Sequence, residues 1–248
     1  MDRKNAETER GALFEWTGTA VLLLFAITTL GQAYVIPTSS MEDSLLIGDH
    51  VWVDKVAYAP AGKLSRRLLP YTPVRRGDVI VFRPPIDTSD PYVKRIIGMP
   101  GDRIRMRNKQ LFINGKAVTE PYKHHKTEYV DPYRDNFPSA PNAPLYPGAV
   151  EMLTKHVVNG EVVVPDNHYF AMGDNRDFSL DSRYWGFVAR ERILGKPVII
   201  WWSYDAPTER LQSMIPSADH VFDLVTNFFS KTRWSRTFQL VRGYPLNP

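Results

Sequence analysis

Polar and apolar positions change pattern abruptly near the start of this chain of 248 residues. No charged residue occurs from Trp16 to Met41, and the middle of that run, residues 20–27, is strongly apolar. A charge-free stretch of about 20 residues is long enough to cross a bilayer as a helix. The pattern therefore predicts a transmembrane anchor over residues 16–36 after a polar tail over residues 1–15.

A cleavable signal peptide is the alternative interpretation of this run, and its cleavage site would follow small residues. The only candidate, Gly31-Gln32-Ala33, matches that requirement poorly, so a retained anchor is favoured. Three basic residues lie within the first ten positions, whereas the first one after the run is Lys55. The positive-inside rule then predicts a cytoplasmic N-terminus, with the rest of the chain on the outer face of the cytoplasmic membrane.

Short apolar or alternating segments, separated by turn residues, follow the anchor. Asn114-Gly115 and Asn159-Gly160 each lie between two such segments and predict two-residue β-hairpin turns. The predicted strands lie within residues 46–55, 78–82, 92–97, 111–113, 116–118, 157–158, 161–164 and 198–202. The body is therefore predicted to be mainly β, with short antiparallel strands.

Two regions depart from this β pattern. Residues 119–148 are rich in Pro, Tyr and Asn without periodicity, which predicts a long irregular insert. The C-terminal tail, residues 205–248, places apolar residues at helical spacing between Val221 and Phe229, which predicts an amphipathic helix. Such a helix either packs on the domain or lies among lipid headgroups, and the sequence favours neither alternative.

Composition narrows the possible partners and chemistry. The net charge of +4 and the pI near 9.2 suit an anionic membrane surface. No arginine-rich block or nucleic-acid motif accompanies this charge, so we expect no nucleic-acid partner. The absence of cysteine excludes disulfides, thiolate nucleophiles and cysteine-ligated zinc. No cluster of His or Glu joins Asp174 and Asp177, so we expect no metal.

A serine nucleophile needs a neighbouring base, and none of the six histidines stands in a recognisable Ser-His-Asp pattern. A neutral lysine can replace histidine, because burial disfavours the ammonium form and lowers the pKa. Lys94 lies in an apolar strand, where the two-residue period places it on one face and Arg95 on the other. We therefore expect Arg95 to pair with an acid. Taken alone, a lysine in a strand is more often an edge residue.

Three blocks, in this order, are similar to bacterial type I signal peptidases. They are Pro37–Met41 with Leu46–Asp49, then Tyr92–Asp102, then Tyr169–Gly186. The resemblance extends from about residue 35 to residue 203, and neither the insert nor the tail carries a motif. It implies an antiparallel signal-peptidase/LexA-like catalytic domain over residues 37–204, preceded by one transmembrane helix.

The resemblance also implies roles for individual residues. Ser40 matches the nucleophile of the family and Lys94 its general base. Thr38 matches the residue whose hydroxyl forms the oxyanion hole together with the backbone N–H of Ser40. Family members often have serine at this position, and threonine keeps the donor.

Residues of the third block match supporting positions. Ser179 matches a serine that orients the lysine, and Asp181 and Arg183 match an ion pair beside the site. A turn that suits chain reversal holds this segment close to Lys94. Its residues are Gly173, Asp174 and Asn175. Phe178 lies between matched positions, and no role is assigned to it.

The implied function is removal of signal peptides from exported preproteins, after an Ala-X-Ala-like site and through an acyl-enzyme. The enzyme would be a monomer that contacts membrane lipid and needs no cofactor. Three alternatives remain. One is a self-cleaving LexA-like repressor, which would need a DNA-binding domain where this chain has an apolar run. The others are a related protease with a dedicated substrate and a membrane-anchored β domain that has lost catalysis and binds a partner.

Overall fold

Two antiparallel sheets form the described part of the chain, which comprises residues 2–58, 72–88, 90–211 and 218–246 of a computed structural model. The larger sheet has the order β1-β2-β12-β3-β4-β10-β11, and β13 pairs with β12. Its strands are β1 (Gly31–Val35), β2 (Asp49–Asp54), β3 (Val79–Phe82), β4 (Tyr92–Gly98), β10 (His168–Met172), β11 (Val188–Ala189), β12 (Ile193–Ser203) and β13 (Gln239–Leu240). The smaller sheet has the order β7-β6-β5-β9-β8. Its strands are β5 (Arg103–Arg107), β6 (Gln110–Ile113), β7 (Lys116–Ala117), β8 (Val157–Val158) and β9 (Glu161–Val163).

Five helices accompany the sheets in the described residues. They are α1 (Asp2–Thr29), α2 (Pro147–Lys155), α3 (Ser182–Trp185), α4 (Thr208–Leu211) and α5 (Ala218–Lys231). Single 3-10 turns occur at Ser39–Met41 and Arg190–Arg192. The mainly antiparallel β body and both Asn-Gly hairpins are therefore confirmed.

The helix that contains the apolar run ends before residue 36, where the predicted anchor (residues 16–36) ends. Helix α1 stops at Thr29, and the next residues form β1, which pairs with β2 from Gly31↔Asp54 to Val35↔His50. The indole of Trp52 lies against Gly31, where a Cβ would collide with it. These backbone pairs bring the last part of the apolar run into the sheet. Among the described residues, none of the helices combines the length and the apolar character that a membrane crossing requires.

A core of aliphatic and aromatic side chains fills the space between the two sheets. Ile104, Met106 and Phe170 are each at most 1% exposed there. The sequence does not reveal β5, because three arginines interrupt its apolar positions, yet Ile104 and Met106 point inward on alternate positions. Leu246, close to the end of the chain, joins the same core.

The segment predicted as an irregular insert packs tightly against this core. No helix or strand occurs from residue 119 to residue 146. Tyr133 and Phe137 are fully buried, and the Tyr133 hydroxyl donates to the carbonyl oxygen of Arg183 at 2.5 Å. Helix α2 occupies the last two residues of the predicted insert. The insert therefore reaches the segment that carries the third sequence block.

Helix α5 lies where the tail pattern predicts one, but several of its apolar side chains are exposed. Val225 and Phe229 are 77% and 79% exposed, whereas Asp223 is buried. Asp223 accepts hydrogen bonds from the Tyr204 hydroxyl at 3.0 Å and from Lys231 Nζ at 2.6 Å. These polar contacts, together with the stacking of Phe228 on Trp202, attach this helix to the end of β12.

Candidate functional site

Ser40 and Lys94 meet at the junction between the 3-10 turn and β4. Their side-chain atoms, Oγ and Nζ, lie 2.6 Å apart, although 54 positions separate the residues in the chain. Met41, 1% exposed, anchors the turn in the core. Thr38 Oγ1 lies 3.4 Å from Ser40 Oγ, on the N-terminal side of the same turn. The two residues predicted as nucleophile and base are therefore in hydrogen-bond contact.

Lys94 is 3% exposed, and its environment favours the neutral amine. Burial lowers the pKa of Lys94 to about 8, although the carboxylates of Asp181 and Asp174 act in the opposite direction. A lysine with this pKa is neutral in a substantial fraction of molecules near neutral pH. In that state the Ser40 hydroxyl can donate its hydrogen bond to the lone pair on Nζ, which is the geometry of general-base activation.

The segment that follows β10 packs directly behind Ser40. Asn175 donates through its backbone N–H to the Ser40 carbonyl oxygen at 3.2 Å, and through Nδ2 to the Ser39 carbonyl oxygen at 3.2 Å. Gly173 lies so close to the Ser40 carbonyl and to Ser179 Oγ that a Cβ at this position would overlap both. The turn predicted at residues 173–175 thus holds the 3-10 turn in place.

Three fully buried ion pairs fix this segment. Asp174 pairs with Arg95 at 2.6 Å, Arg176 with Glu120 at 2.5 Å and Asp181 with Arg183 at 2.7 Å. The expected pairing of Arg95 with an acid is confirmed. Removing one partner of such a buried pair costs about 3–5 kcal/mol, because the other charge is left without compensation.

The ion pairs also keep their acids charged. Burial raises the pKa of Asp181, but the charge and hydrogen bonds of Arg183 outweigh it and leave the pKa lowered. Arg176 lowers the pKa of Glu120 against burial in the same way. Asp181 also caps α3 by accepting from the backbone N–H of Arg183. Glu120 was not found from the sequence, because it lies in the motif-free insert.

Ser179 lies beside the pair, and its hydroxyl contributes to the lowered pKa of Asp181. Its Oγ is buried and makes no hydrogen bond of regular geometry among the residues that the structure describes. The role predicted for it, orientation of Lys94, would require a rotation of this hydroxyl or a shift of the amine. The packing of Ser179 against Gly173 keeps the hydroxyl in the same buried region as Ser40.

A groove of about 730 Å³ opens onto Ser40 and Lys94. Sequence reasoning did not identify its walls, which include Tyr34 and Ile36 on one side, Tyr92 and Val93 on another, and Phe178. The first two belong to the apolar run that was assigned to the anchor. Phe178, to which no role was assigned, is 62% exposed at this groove.

Two other kinds of catalysis, with a histidine as the base or with a metal ion, find little support in the described residues. His50 packs against Trp201 and Trp202, and its Nδ1 lies 3.1 Å from the Gly48 carbonyl oxygen, away from Ser40. No group of three or more His, Asp or Glu residues in the described ranges could hold a metal ion.

Comparison with known proteins identifies both the class, a serine endopeptidase, and the family. The chain belongs to the signal peptidase, peptidase S26 family, whose sequence model matches residues 11–202.

Three relatives illustrate the similarity. A probable signal peptidase I-2 of Synechocystis is 35% identical over 190 residues, covering 74% of this chain and 69% of its own. Signal peptidase I of Pseudomonas fluorescens is 35% identical (75% and 70% covered), and that of Aquifex aeolicus is 33% identical (75% and 81% covered). A crystal structure of signal peptidase I from Enterococcus faecalis is 28% identical, covers 50% of this chain and 97% of its own, and superposes with a TM-score of 0.34.

Replacing Gly173 by Ala should disturb the site, because the new Cβ would overlap the Ser40 carbonyl and Ser179. We expect the free energy of unfolding to fall by about 1–3 kcal/mol through overpacking, and peptidase activity to fall by more than the unfolded fraction explains. Denaturant unfolding and peptide cleavage measure the two effects. Gly18→Ala is the control, since it lies in helix α1 and a Cβ there meets no neighbour. Equal activity in the two variants would contradict the proposed close approach.

The pH dependence of cleavage should follow Lys94. With Lys94 as the general base, only its neutral amine would be active, so kcat/KM should rise with pH, pass its midpoint near the pKa of about 8 and level off above it. Lys94→Ala should be inactive at every pH. A Lys94→Ala variant that retains the same pH profile would show that another group is the base.

Proposed function

We propose that this chain removes signal peptides from exported preproteins, with Ser40 as the nucleophile and Lys94 as the general base. The observation that carries the proposal is the 2.6 Å contact between Ser40 Oγ and the buried Lys94 Nζ. Family membership supplies the substrate class. The arrangement of the residues supports the order of the chemical steps.

In the first step, neutral Lys94 accepts the proton of the Ser40 hydroxyl while Oγ attacks the scissile carbonyl carbon. The resulting oxyanion accepts hydrogen bonds from the Thr38 hydroxyl and the Ser40 backbone N–H. Lys94, now protonated, gives its proton to the leaving amine, and the mature protein departs. The signal peptide remains bound to Ser40 as an ester.

In the second step, Lys94 accepts a proton from water, and the resulting hydroxide attacks the ester carbonyl. The C–O bond to Ser40 breaks and Oγ regains a proton from Lys94, which restores the starting state. The family resemblance implies small side chains before the bond, as in an Ala-X-Ala-like site. Asp181 and Arg183 support this arrangement without contacting the substrate.

We also propose that the chain works at a membrane surface. The charge-free part of α1 exposes apolar side chains, including Leu22 and Phe25. A series of aromatic contacts leads from the sheet to the tail: Trp201–Trp202 at 6.0 Å, Trp202–Phe228 at 6.0 Å and Phe228–Trp234 at 5.9 Å between ring centroids. Exposed tryptophans are typical of the membrane–water interface. These features favour the lipid-facing interpretation of the tail helix.

Cleavage of a preprotein with an Ala-X-Ala site by the detergent-solubilised chain tests the chemistry. The wild type should cut after the second Ala, and Ser40→Ala should lose a factor of about 10⁴ or more in kcat. Ser39→Ala is the matched control, because its side chain lies outside the contact with Lys94, and it should retain most of the activity. If the wild type cuts no such preprotein, the dedicated-substrate and binding-domain alternatives become the better explanations.

Vesicle flotation tests the membrane surface. Phe229 and Trp234 are 79% and 53% exposed, so replacing both by Ser removes apolar surface that lipid would cover. We expect the double variant to partition into vesicles at least about tenfold more weakly than the wild type. Burial of each large apolar side chain contributes about 1.5–3 kcal/mol. Tyr129→Ser, on the insert and 63% exposed, is the control. Equal flotation of both variants would refute the surface.

A further inference from the structure

One wall of the groove comes from a part of the chain that the family match does not include. The match ends at residue 202, and Leu211 lies beyond it on the short helix α4. Leu211 nevertheless lines the same groove as Ser40, Lys94, Tyr34 and Val93, and it is partly buried. The tail therefore contributes a branched apolar side chain to the space in which a substrate would lie.

Several contacts hold the chain between β12 and α4 in position. The backbone N–H of Tyr204 donates to the Gly48 carbonyl oxygen at 3.0 Å, and that of Asp205 donates to the Lys231 carbonyl oxygen at 2.9 Å. Ala206 is buried. Leu211 is thus placed by a segment that is bonded both to the turn before β2 and to the end of α5.

The side chain next to Leu211 is fixed to α5 by an ion pair. Arg210 Nη1 lies 3.1 Å from Asp223 Oδ2. The same carboxylate accepts from Lys231 and from the Tyr204 hydroxyl, and the hydrogen bond from Lys231 is the main reason that the pKa of Asp223 falls to about 2. Asp223 therefore stays charged at neutral pH, and its ion pair with Arg210 connects α5 to α4.

We propose that Leu211 limits the size of one side chain of the bound peptide, and that Arg210 positions Leu211 for this task. The inference rests on the proposed function, since it takes the groove to be the substrate site. An extended peptide presents successive side chains to opposite sides, so a single wall residue meets one substrate position and not its neighbours. A steric conflict between Leu211 and a bulky substrate side chain would lower kcat/KM relative to a small side chain by about 10–200-fold. This is the range for one extra or missing methylene in an apolar pocket.

Cleavage of a peptide panel measures this discrimination. Each residue before the scissile bond is in turn Ala or Leu, and the ratio of kcat/KM for the Leu and Ala peptides is determined at every position. At one position, Leu211→Ala should raise the ratio by about tenfold or more. Val225→Ala is the matched control, an aliphatic truncation on the same tail at a residue 77% exposed, and its ratios should equal those of the wild type. Wild-type ratios in Leu211→Ala at every position would overturn the proposal.

Arg210 needs a separate readout because it acts through Leu211. Arg210→Ala should raise the ratio at the same substrate position by a smaller factor, and Arg210→Lys should restore it, since lysine keeps a cation near Asp223. An effect of Arg210→Ala spread over all positions would indicate general destabilisation and would overturn the positioning role.

A cross-linking experiment separates this inference from the proposed chemistry. The chain contains no cysteine, so Leu211→Cys and Val225→Cys each introduce a single thiol. In a Ser40→Ala background, a signal-peptide-derived peptide with a bromoacetyl group should label Leu211→Cys faster than Val225→Cys, and excess unmodified peptide should suppress the labelling. Equal labelling would overturn the proposal. If the labelling is selective but the wild type cleaves no peptide, Leu211 does line a peptide-binding groove and the proposed function is refuted.

Discussion

The site depends on the removal of water from Lys94. The ammonium form is stable in water, and burial lowers the pKa of Lys94 so that part of the amine is uncharged near neutral pH, which is the form that can accept a proton from Ser40. Two carboxylates, those of Asp174 and Asp181, lie close enough to favour the ammonium form. Each is paired with an arginine, and the charge of Arg183 acts against these carboxylates at Lys94. The ion pairs therefore help to keep the pKa of Lys94 low, and they also hold the loop in place.

The same ion pairs connect three distant parts of the chain. Arg95 follows the base on β4, Asp174 belongs to the loop behind Ser40, and Glu120 comes from the insert. Ser44, just after the 3-10 turn, donates to Asp174 at 2.5 Å. The turn, the strand and the loop thus meet at a few charged contacts that exclude water. Loss of any one of these charged contacts would displace its neighbours and, through them, the Ser40–Lys94 contact.

Patterns local to a few residues could be predicted from the sequence, because their physical cause is local. The hairpins at Asn114 and Asn159 and the two faces of β4 follow from turn chemistry and the two-residue period. The candidates Ser40 and Lys94 came from a resemblance, since a serine and a lysine 54 positions apart carry no signal of their own. Their separation of 2.6 Å is a property of the folded sheet.

Features that depend on long-range packing could not be predicted. Strand β1 was assigned to the anchor, because an edge strand buried beside Trp52 has the same apolar composition as the end of a membrane helix. Glu120 and Leu211 lie in segments without motifs, and only the fold brings them to the loop and to the groove. The tail helix was predicted from its period, but the period does not say whether its apolar face is covered.

The burial of Leu246 in the core has a consequence for the time at which the enzyme becomes active. Ser40 is made early during synthesis, whereas Leu246 packs with Ile97 and Phe170 close to the end of the chain. The carbonyl oxygen of Arg242 also accepts from Arg95, the residue beside the base. Native contacts of such long sequence separation form late in folding. A newly made chain would therefore complete the core and the contacts of Arg95 only after residues 242–246 have been made, well after Ser40 and Lys94.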